Sequence, residues 1–553
     1  MSCRLLLLTC LLLALATQTG ATPGVPSADP AGCTKCRMVW NDTCAPFDRN
    51  NETAYNEELL HSFDPIMANL TGPSDLSNAS WTEAFQSAHE LIKERYAFTE
   101  RRAVDWDALY RTCAPAVAEA EKAGDKAGYR RALQRYVYAI PDGHVLILPT
   151  EGDFGARHAD IGGDFGLGIT RLDSGDVIVS FVANGSQAEK AGIRFGDRVA
   201  AWNGSAIEDA IAMTPYIWAV KKPSTAEGIR LHQQRLLTRG PIGATATITV
   251  ANRTGIDPRT IPLTAYDDGY ANLKRTSWFL GTGINDYGVE RFWSDIQPQI
   301  ANESVTVRTL PGNVTYIAVY AEEYQVYQPF RAAMQNAIAN STRGIVLDLR
   351  FNNGGDDNLA ACLAGWFVEE PVFYEYVTKY DPGNGQFATI AEAWSTPKQD
   401  RYRGPVAVMV SPDTISSGEG LPMVFNRTGR GSIVSFYGTN GAFGMNGVQA
   451  MLPLGQYLLF PDGASRDLNG TIQVDSDAKM KGGISPDIRV PLDEETVSRA
   501  MAGEDVQLTY ALAWLENQTG PTPAPATPAR TAPLDTAAAL AVLGVVVALA
   551  RRK

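Results

Sequence analysis

Long apolar runs are scarce in these 553 residues; the two present, 5–16 and 537–550, are both shorter than the roughly 20 residues a bilayer crossing needs. Basic charge is also in deficit, with 48 Lys and Arg against 61 Asp and Glu and a net charge of -13. Such a surface repels phosphate backbones, which argues against a nucleic-acid partner. Histidine is rarer still, with five in the chain, and none lies within ten residues of the cysteine trio Cys33, Cys36 and Cys44. That trio lacks a nearby fourth ligand, so no zinc site and no cofactor is expected. Internal repeats are absent, which disfavours a structural surface-layer or adhesion array.

What is there points outward. Arg4, the apolar run 5–16 and the small residues Gly20 and Ala21 read as a secretory signal over 1–21. Glycan acceptor sequons recur, among them Asn41-Asp-Thr43, Asn69-Leu-Thr71, Asn184-Gly-Ser186, Asn313-Val-Thr315 and Asn426-Arg-Thr428. A Cys-containing region follows at 22–79, where Cys33, Cys36 and Cys44 can pair with each other or with Cys113 after export. At the far end a Pro- and Thr-rich spacer, 519–533, leads to a small-residue apolar segment, 534–553, closed by Arg551, Arg552 and Lys553. This tail resembles the sorting signals of archaeal surface proteins, and is equally compatible with a plain membrane anchor. The expected location is the outer face of the cell membrane.

Between these ends the texture changes twice. Over 80–150, Trp81, Phe85, His89, Leu91 and Ile92, then Tyr129, Leu133, Tyr136 and Val137, recur at helical spacing and predict a helical segment. Over 160–265, short runs such as Asp176-Val-Ile-Val-Ser-Phe-Val182 and Ala244-Thr-Ala-Thr-Ile-Thr-Val250 predict a β domain. Within it, Phe165-Gly-Leu-Gly-Ile169, Gly185-Ser-Gln-Ala-Glu-Lys-Ala-Gly-Ile193 and Gly196-Asp197 resemble a PDZ domain, which implies peptide binding at Phe165, Gly166, Leu167 and Gly168. Over 305–500, strands and helices alternate, as in an α/β core whose chemistry gathers at strand carboxyl ends.

Two such ends carry the most informative segments, Asp348-Leu-Arg-Phe-Asn-Asn-Gly-Gly355 and Ser411-Pro-Asp-Thr-Ile-Ser-Ser-Gly-Glu419. Paired glycines bring backbone amides to a substrate with no side chain between. A serine where a strand runs into a helix can be a nucleophile, or simply a helix cap. Together with Ile140-Pro-Asp-Gly-His-Val145 and Gly483-Ile-Ser-Pro-Asp-Ile-Arg-Val490, these segments resemble the carboxyl-terminal-processing, tail-specific and tricorn-core serine peptidases. The resemblance implies a multidomain α+β protein: an N-terminal helical segment, a PDZ-like β domain and an α/β, ClpP/crotonase-like peptidase core. It implies Ser416 as nucleophile, with Ser417 the runner-up, and an oxyanion hole from Gly354, Gly355 and Ser417. Protein or peptide substrates, held by their carboxyl termini, would be the partners.

The base is less direct. The family's Gly-Lys-Gly lysine has no counterpart, since Gly438-Thr-Asn-Gly-Ala-Phe-Gly-Met-Asn-Gly447 puts Met445 there; a lysine base would require Lys479 or Lys481 to fold back. His144, in the Asp-Gly-His motif, is the alternative. The tricorn relay partners are replaced by Gly143 and Met480, so Asp142, Asp475 and Asp477 are the candidates to orient the imidazole. A catalytically inactive relative that binds peptides or ligands at the surface is the rival reading.

Overall fold

The computed structural model describes residues 37–38, 72–277 and 305–519, and comprises helices and several sheets in a mixed α+β arrangement. The signal segment 1–21, most of the Cys-containing region and the terminal segment 534–553 lie outside the described residues. Among the described residues no helix is long and apolar enough to cross a membrane.

The amino-terminal part is helical, as the spacing predicts: α1 (Trp81–Arg95), α2 (Trp106–Ala123) and α3 (Lys126–Tyr138). Each begins at a side-chain cap, with Ser80, Asp105 and Asp125 accepting from backbone amides of the first turn. Their apolar faces bury Phe85, Ile92, Val117, Leu133 and Val137 in one core. A fourth helix, α4 (Glu151–Ile161), carries His158 in a stretch that reads as a charged loop in the sequence.

The β domain has five main strands, β1 (Leu167–Arg171), β2 (Val177–Val182), β3 (Arg198–Trp202), β4 (Thr245–Ala251) and β5 (Arg259–Thr264), ordered β5-β4-β3-β2-β1. It also contains α5 (Ala226–Leu237), which packs on the edge strand β1.

From residue 305 the chain lays down β6 (Val305–Leu310), β7 (Val314–Val319), α6 (Tyr327–Ala339), β8 (Gly344–Asp348) and α7 (Asp357–Ala364). Then come β9 (Val372–Asp381), β10 (Gln386–Ser395), β11 (Val406–Met409), α8 (Ser417–Thr428) and β12 (Ser432–Ser435). The last elements are β13 (Met445–Leu452), β14 (Gln456–Arg466), β15 (Ile488–Arg489), α9 (Glu494–Met501) and α10 (Val506–Thr519).

Two sheets result. The first runs β6-β7-β8-β11-β12-β15 and is parallel from β7 onward, with β8 and β11 buried along their whole length. The second, which alternation of strand and helix did not predict, contains the antiparallel run β10-β9-β14-β13. Leu146 and Ile147 pair with Leu459 and Leu458 of β14, and Ala450, Leu452, Leu458 and Phe460 join the helical core. The second sheet thereby ties the Asp-Gly-His turn to the part of the chain that carries Ser416.

Cysteine usage corrects one expectation. Cys113 is a free, buried thiol, whereas Cys362 on α7 is disulfide-bonded. Cys113 faces the apolar packing of α2, where no bridge reaches it. The sequon residues Asn184, Asn313 and Asn426 are exposed.

Candidate active site

Ser416 sits where β11 has ended and α8 begins. The connecting loop is fastened to the end of β8: Ser411 Oγ donates to Arg350 O (2.6 Å), Thr414 Oγ1 to Leu349 O (2.7 Å) and Ile415 N–H to Asn352 O (3.2 Å). Ser416 itself has φ 60° and ψ -139°, a conformation that L side chains rarely adopt. Its N–H donates to Ala442 O (2.9 Å), which helps to hold the turn. Its side chain makes no capping hydrogen bond, so the helix-cap reading of this serine does not apply. Ser417 differs: it is buried, and its Oγ donates to Gly355 O (2.9 Å). Ser416 is half-buried, and its hydroxyl has no hydrogen-bond partner among the described residues.

The paired glycines meet this serine directly. A Cβ on Gly354 would lie 2.4 Å from Ser416 Cβ and 3.0 Å from its Oγ, so only glycine permits the approach. Gly354 N–H, however, donates to Asn352 Oδ1 (2.8 Å). That correction removes Gly354 from the expected oxyanion donors and makes it a spacer. The amides of Gly355 and Ser417 donate no hydrogen bond within the described residues. They remain the candidate pair.

His144 lies in a buried turn held from two sides. Its N–H donates to Asp142 Oδ1 (2.9 Å), and the buried Lys222 Nζ donates to Val137 O (2.5 Å) and Val145 O (2.8 Å). The neighbouring Gly143 packs against Ile415, since a Cβ there would stand 2.8 Å from Ile415 Cδ1, and its N–H donates to Ser224 Oγ (2.6 Å). The histidine and serine segments are therefore adjacent. No hydrogen bond joins Ser416 Oγ to His144, and His144 Nδ1 is buried without a partner. Burial pushes the imidazole down to about 4, against the pull of Asp142 and with the charges of Arg102, Lys221 and Lys222 adding to the fall. It is thus neutral, and able to accept a proton, throughout the physiological range.

The relay candidates separate. Asp142 is spent on other partners, with Oδ2 accepting from Tyr96 Oη (2.6 Å) and facing Arg102 Nε (3.5 Å). Burial works against its charge, but Arg102 and the hydrogen bonds outweigh it and keep the carboxyl below its ordinary value. Asp475 Oδ1 accepts from Phe443 N–H (2.9 Å), and its Oδ2 is buried without a partner. Burial and the nearby Asp142 lift it to about 7. Neither carboxylate receives a hydrogen bond from the ring of His144. Asp477 is a turn residue accepting from the amides of Lys479 (2.8 Å) and Lys481 (3.0 Å), and the side chains of both lysines are exposed there. It is corrected from relay candidate to turn acceptor, and neither lysine folds back to the serine.

Three residues near the site carry no local sequence signal. Lys221 Nζ donates to Asn353 Oδ1 and reaches Asp413 O (3.4 Å), which sets an ammonium beside the Gly354 turn. Lys222 is held below its usual lysine range by burial. Arg102 spans both halves of the site. Glu419, the acid of the Thr-x-Ser-x-x-Glu pattern, accepts from Thr439 Oγ1 (2.5 Å), Gly441 N–H (2.8 Å) and Ala442 N–H (2.9 Å). It shapes the strand of backbone that receives Ser416 N–H.

Behind the glycines, Glu322 Oε1 accepts from Asn352 Nδ2 (2.7 Å) while Oε2 is buried without a partner. Burial raises this carboxyl to about 8, so the folded protein keeps a proton that the unfolded chain releases near its ordinary value of 4.5. The stability tied to that proton is complete below about pH 4.5 and is lost as pH rises through about 8. Glu322→Gln should therefore melt a few degrees above the wild type at pH 8.5 and level with it at pH 4.5. Parallel melting curves across that range, followed by circular dichroism, would contradict the assignment.

The expected carboxylate cradle in the β domain is closed. Phe165 N–H donates to Thr238 O (3.1 Å) and Gly166 N–H to Asp164 Oδ1 (2.6 Å), while residues 165–168 are all buried. Along edge strand β1, Gln234 of α5 accepts Arg171 N–H (3.1 Å). Peptide binding at Phe165, Gly166, Leu167 and Gly168 is thus corrected: an internal carboxylate already sits on the loop. Among the described residues no three His, Cys, Asp or Glu side chains are grouped to hold a metal ion.

A strained, half-buried serine at a strand-to-helix turn, a glycine backbone pressed against its hydroxyl and a buried imidazole on the adjacent segment are the kinds of parts that serine-hydrolase chemistry uses. The sequence shows a similarity of the same kind: residues 313–490 match the model of Peptidase family S41, and residues 77–125 match that of the Tricorn protease C1 domain. The chain is a serine peptidase that resembles this family. No curated protein matches the sequence. Among solved structures, mature CPAF is similar in fold at 12% identity, covering 80% of this chain and 99% of its own, with a TM-score of 0.53. Mature CPAF complexed with lactacystin aligns at 11% identity over 79% of this chain and 98% of its own, with a TM-score of 0.50.

Proposed function

We propose that the protein is an acyl-enzyme serine endopeptidase acting on extracytoplasmic proteins or peptides, with Ser416 as nucleophile and His144 as general base. The observation that carries this reading is the Ser416 turn, a strained serine whose side chain caps nothing and faces Gly354. His144 takes the Ser416 proton as Oγ attacks the peptide carbonyl carbon, and the oxyanion forms against the amides of Gly355 and Ser417. The imidazolium then gives its proton to the leaving amine. Water, deprotonated by the same ring, attacks the acyl carbon and releases the carboxylic acid with Ser416 restored. In the resting chain Ser416 and His144 are unbonded, so substrate binding brings the two into hydrogen-bond reach.

Export by the 1–21 signal and anchoring by 534–553 are part of the same proposal, supported by the exposed sequons. With the Phe165–Gly168 loop closed, cleavage is read as independent of the substrate's carboxyl terminus. A matched pair of fluorogenic peptides, one with a free and one with an amidated carboxyl terminus, tests this. Their kcat/KM values should agree within about twofold. A tenfold or larger preference for the free acid would restore carboxyl-terminal capture.

A further inference from the structure

One side chain from the helical segment touches both halves of the candidate site. Arg102 follows α1, and its guanidinium is fully buried. On the histidine side, Nη1 donates to Pro141 O and Nε faces Asp142 Oδ2 at 3.5 Å. Asp142 passes that hold to His144 through the backbone N–H it accepts (2.9 Å). On the serine side, Nη2 donates to Gly441 O (3.3 Å) and faces Asp475 Oδ1 at 3.8 Å. Asp475 in turn accepts Phe443 N–H (2.9 Å), and Ala442, between Gly441 and Phe443, receives Ser416 N–H (2.9 Å).

We propose that Arg102 is a positioning residue that sets the Ser416–His144 separation by clamping the Pro141–His144 turn to the Gly441–Phe443 segment. The inference rests on the Ser416 and His144 reading above. The planar fork is what the geometry requires. Two carbonyls and two carboxylates lie in different directions, and a lysine ammonium at the same place can reach one side or the other, not both. A charge without the fork keeps Asp142 and Asp475 compensated while letting the two segments drift. Displacement of about 1 Å between reacting groups is enough to cost about a hundredfold in rate.

Three variants of the full chain, assayed on a fluorogenic peptide with the folded fraction measured by circular dichroism, test the clamp. Arg102→Lys should stay folded, with kcat at least tenfold lower and KM within twofold of wild type. Asp475→Asn, which keeps an acceptor for Phe443 N–H and loses the charge facing Arg102, should lower kcat severalfold. Arg102→Ala should lose more, and regain at least fivefold in kcat when guanidinium is supplied at a non-denaturing concentration. Wild-type kcat in folded Arg102→Lys and Asp475→Asn overturns the clamp. So does a loss in every variant that only follows the folded fraction and ignores guanidinium. The Ser416→Ala control separates the two layers: cleavage lost there but intact in Arg102→Lys overturns the clamp alone, whereas cleavage retained in Ser416→Ala overturns the nucleophile assignment and the clamp with it.

Discussion

Ser416→Gly is expected to abolish peptide cleavage while making the protein more stable. The native backbone at this position, φ 60° and ψ -139°, is one that glycine occupies freely and serine does not. Holding an L-residue there costs about 1–3 kcal/mol. Glycine removes that strain but loses about 0.5–1 kcal/mol through the greater freedom of the unfolded chain. The net gain should be about 1 kcal/mol, or a few degrees in melting temperature. Ser416→Ala keeps the strain and should melt like the wild type. Both variants should lose about a thousandfold or more in kcat/KM, since the acyl-enzyme cannot form. A Ser416→Gly protein less stable than wild type would mean that the turn is not strained at the serine.

The second large effect is expected at Gly354. An added Cβ would stand 2.4 Å from Ser416 Cβ and 2.9 Å from Ile415 O, and Gly354 has φ 81°. The left-handed backbone costs an alanine about 1–2 kcal/mol, and overpacking about 1–3 more. Because the collision is with Ser416, the serine must move, and Gly354→Ala should lose about a hundredfold or more in kcat/KM. Gly455→Ala is the matched control. Its φ is 72°, and a Cβ there meets nothing within 4 Å. It should cost about 1 kcal/mol in stability and leave kcat/KM unchanged. Equal kinetic losses in the two variants would show that the damage is global rather than local to the serine.

How much of this was legible in the sequence depends on the range of the interaction. The ends of β8 and β11 were legible because a fully apolar strand stops abruptly in Asn-Gly-Gly or in Ile-Ser-Ser, and the helices α1 and α3 because their apolar residues recur every three or four positions. The antiparallel sheet was hidden. β14 carries Pro461 and Gly463, residues that punctuate strands in sequence, and a bulge at Asn446 disturbs the alternation of β13. The glycines at 152, 155 and 162 made α4 read as loop, although Thr150 and Asp153 form its capping box. Arg102 and Lys222 were invisible for a different reason. Arg102 stands in a polar stretch beside Glu100 and Arg101, and nothing local tells a buried guanidinium from a solvated one; its partners are 39 and 339 residues away. The Gly-x-Gly run in the β domain read as a peptide-binding loop, but Leu167 and Gly168 belong to β1, and the carboxylate on Gly166 N–H is Asp164, a neighbour whose inward direction only the fold determines.

The central claim is that Ser416 is the nucleophile, and the direct test is to map a covalent adduct. The full chain is treated with a fluorophosphonate, digested and sequenced by mass spectrometry. A single adduct on Ser416, absent from Ser416→Ala and slowed at least tenfold in His144→Ala, is the predicted result. An adduct on Ser417, or unchanged labelling in Ser416→Ala, would contradict the account.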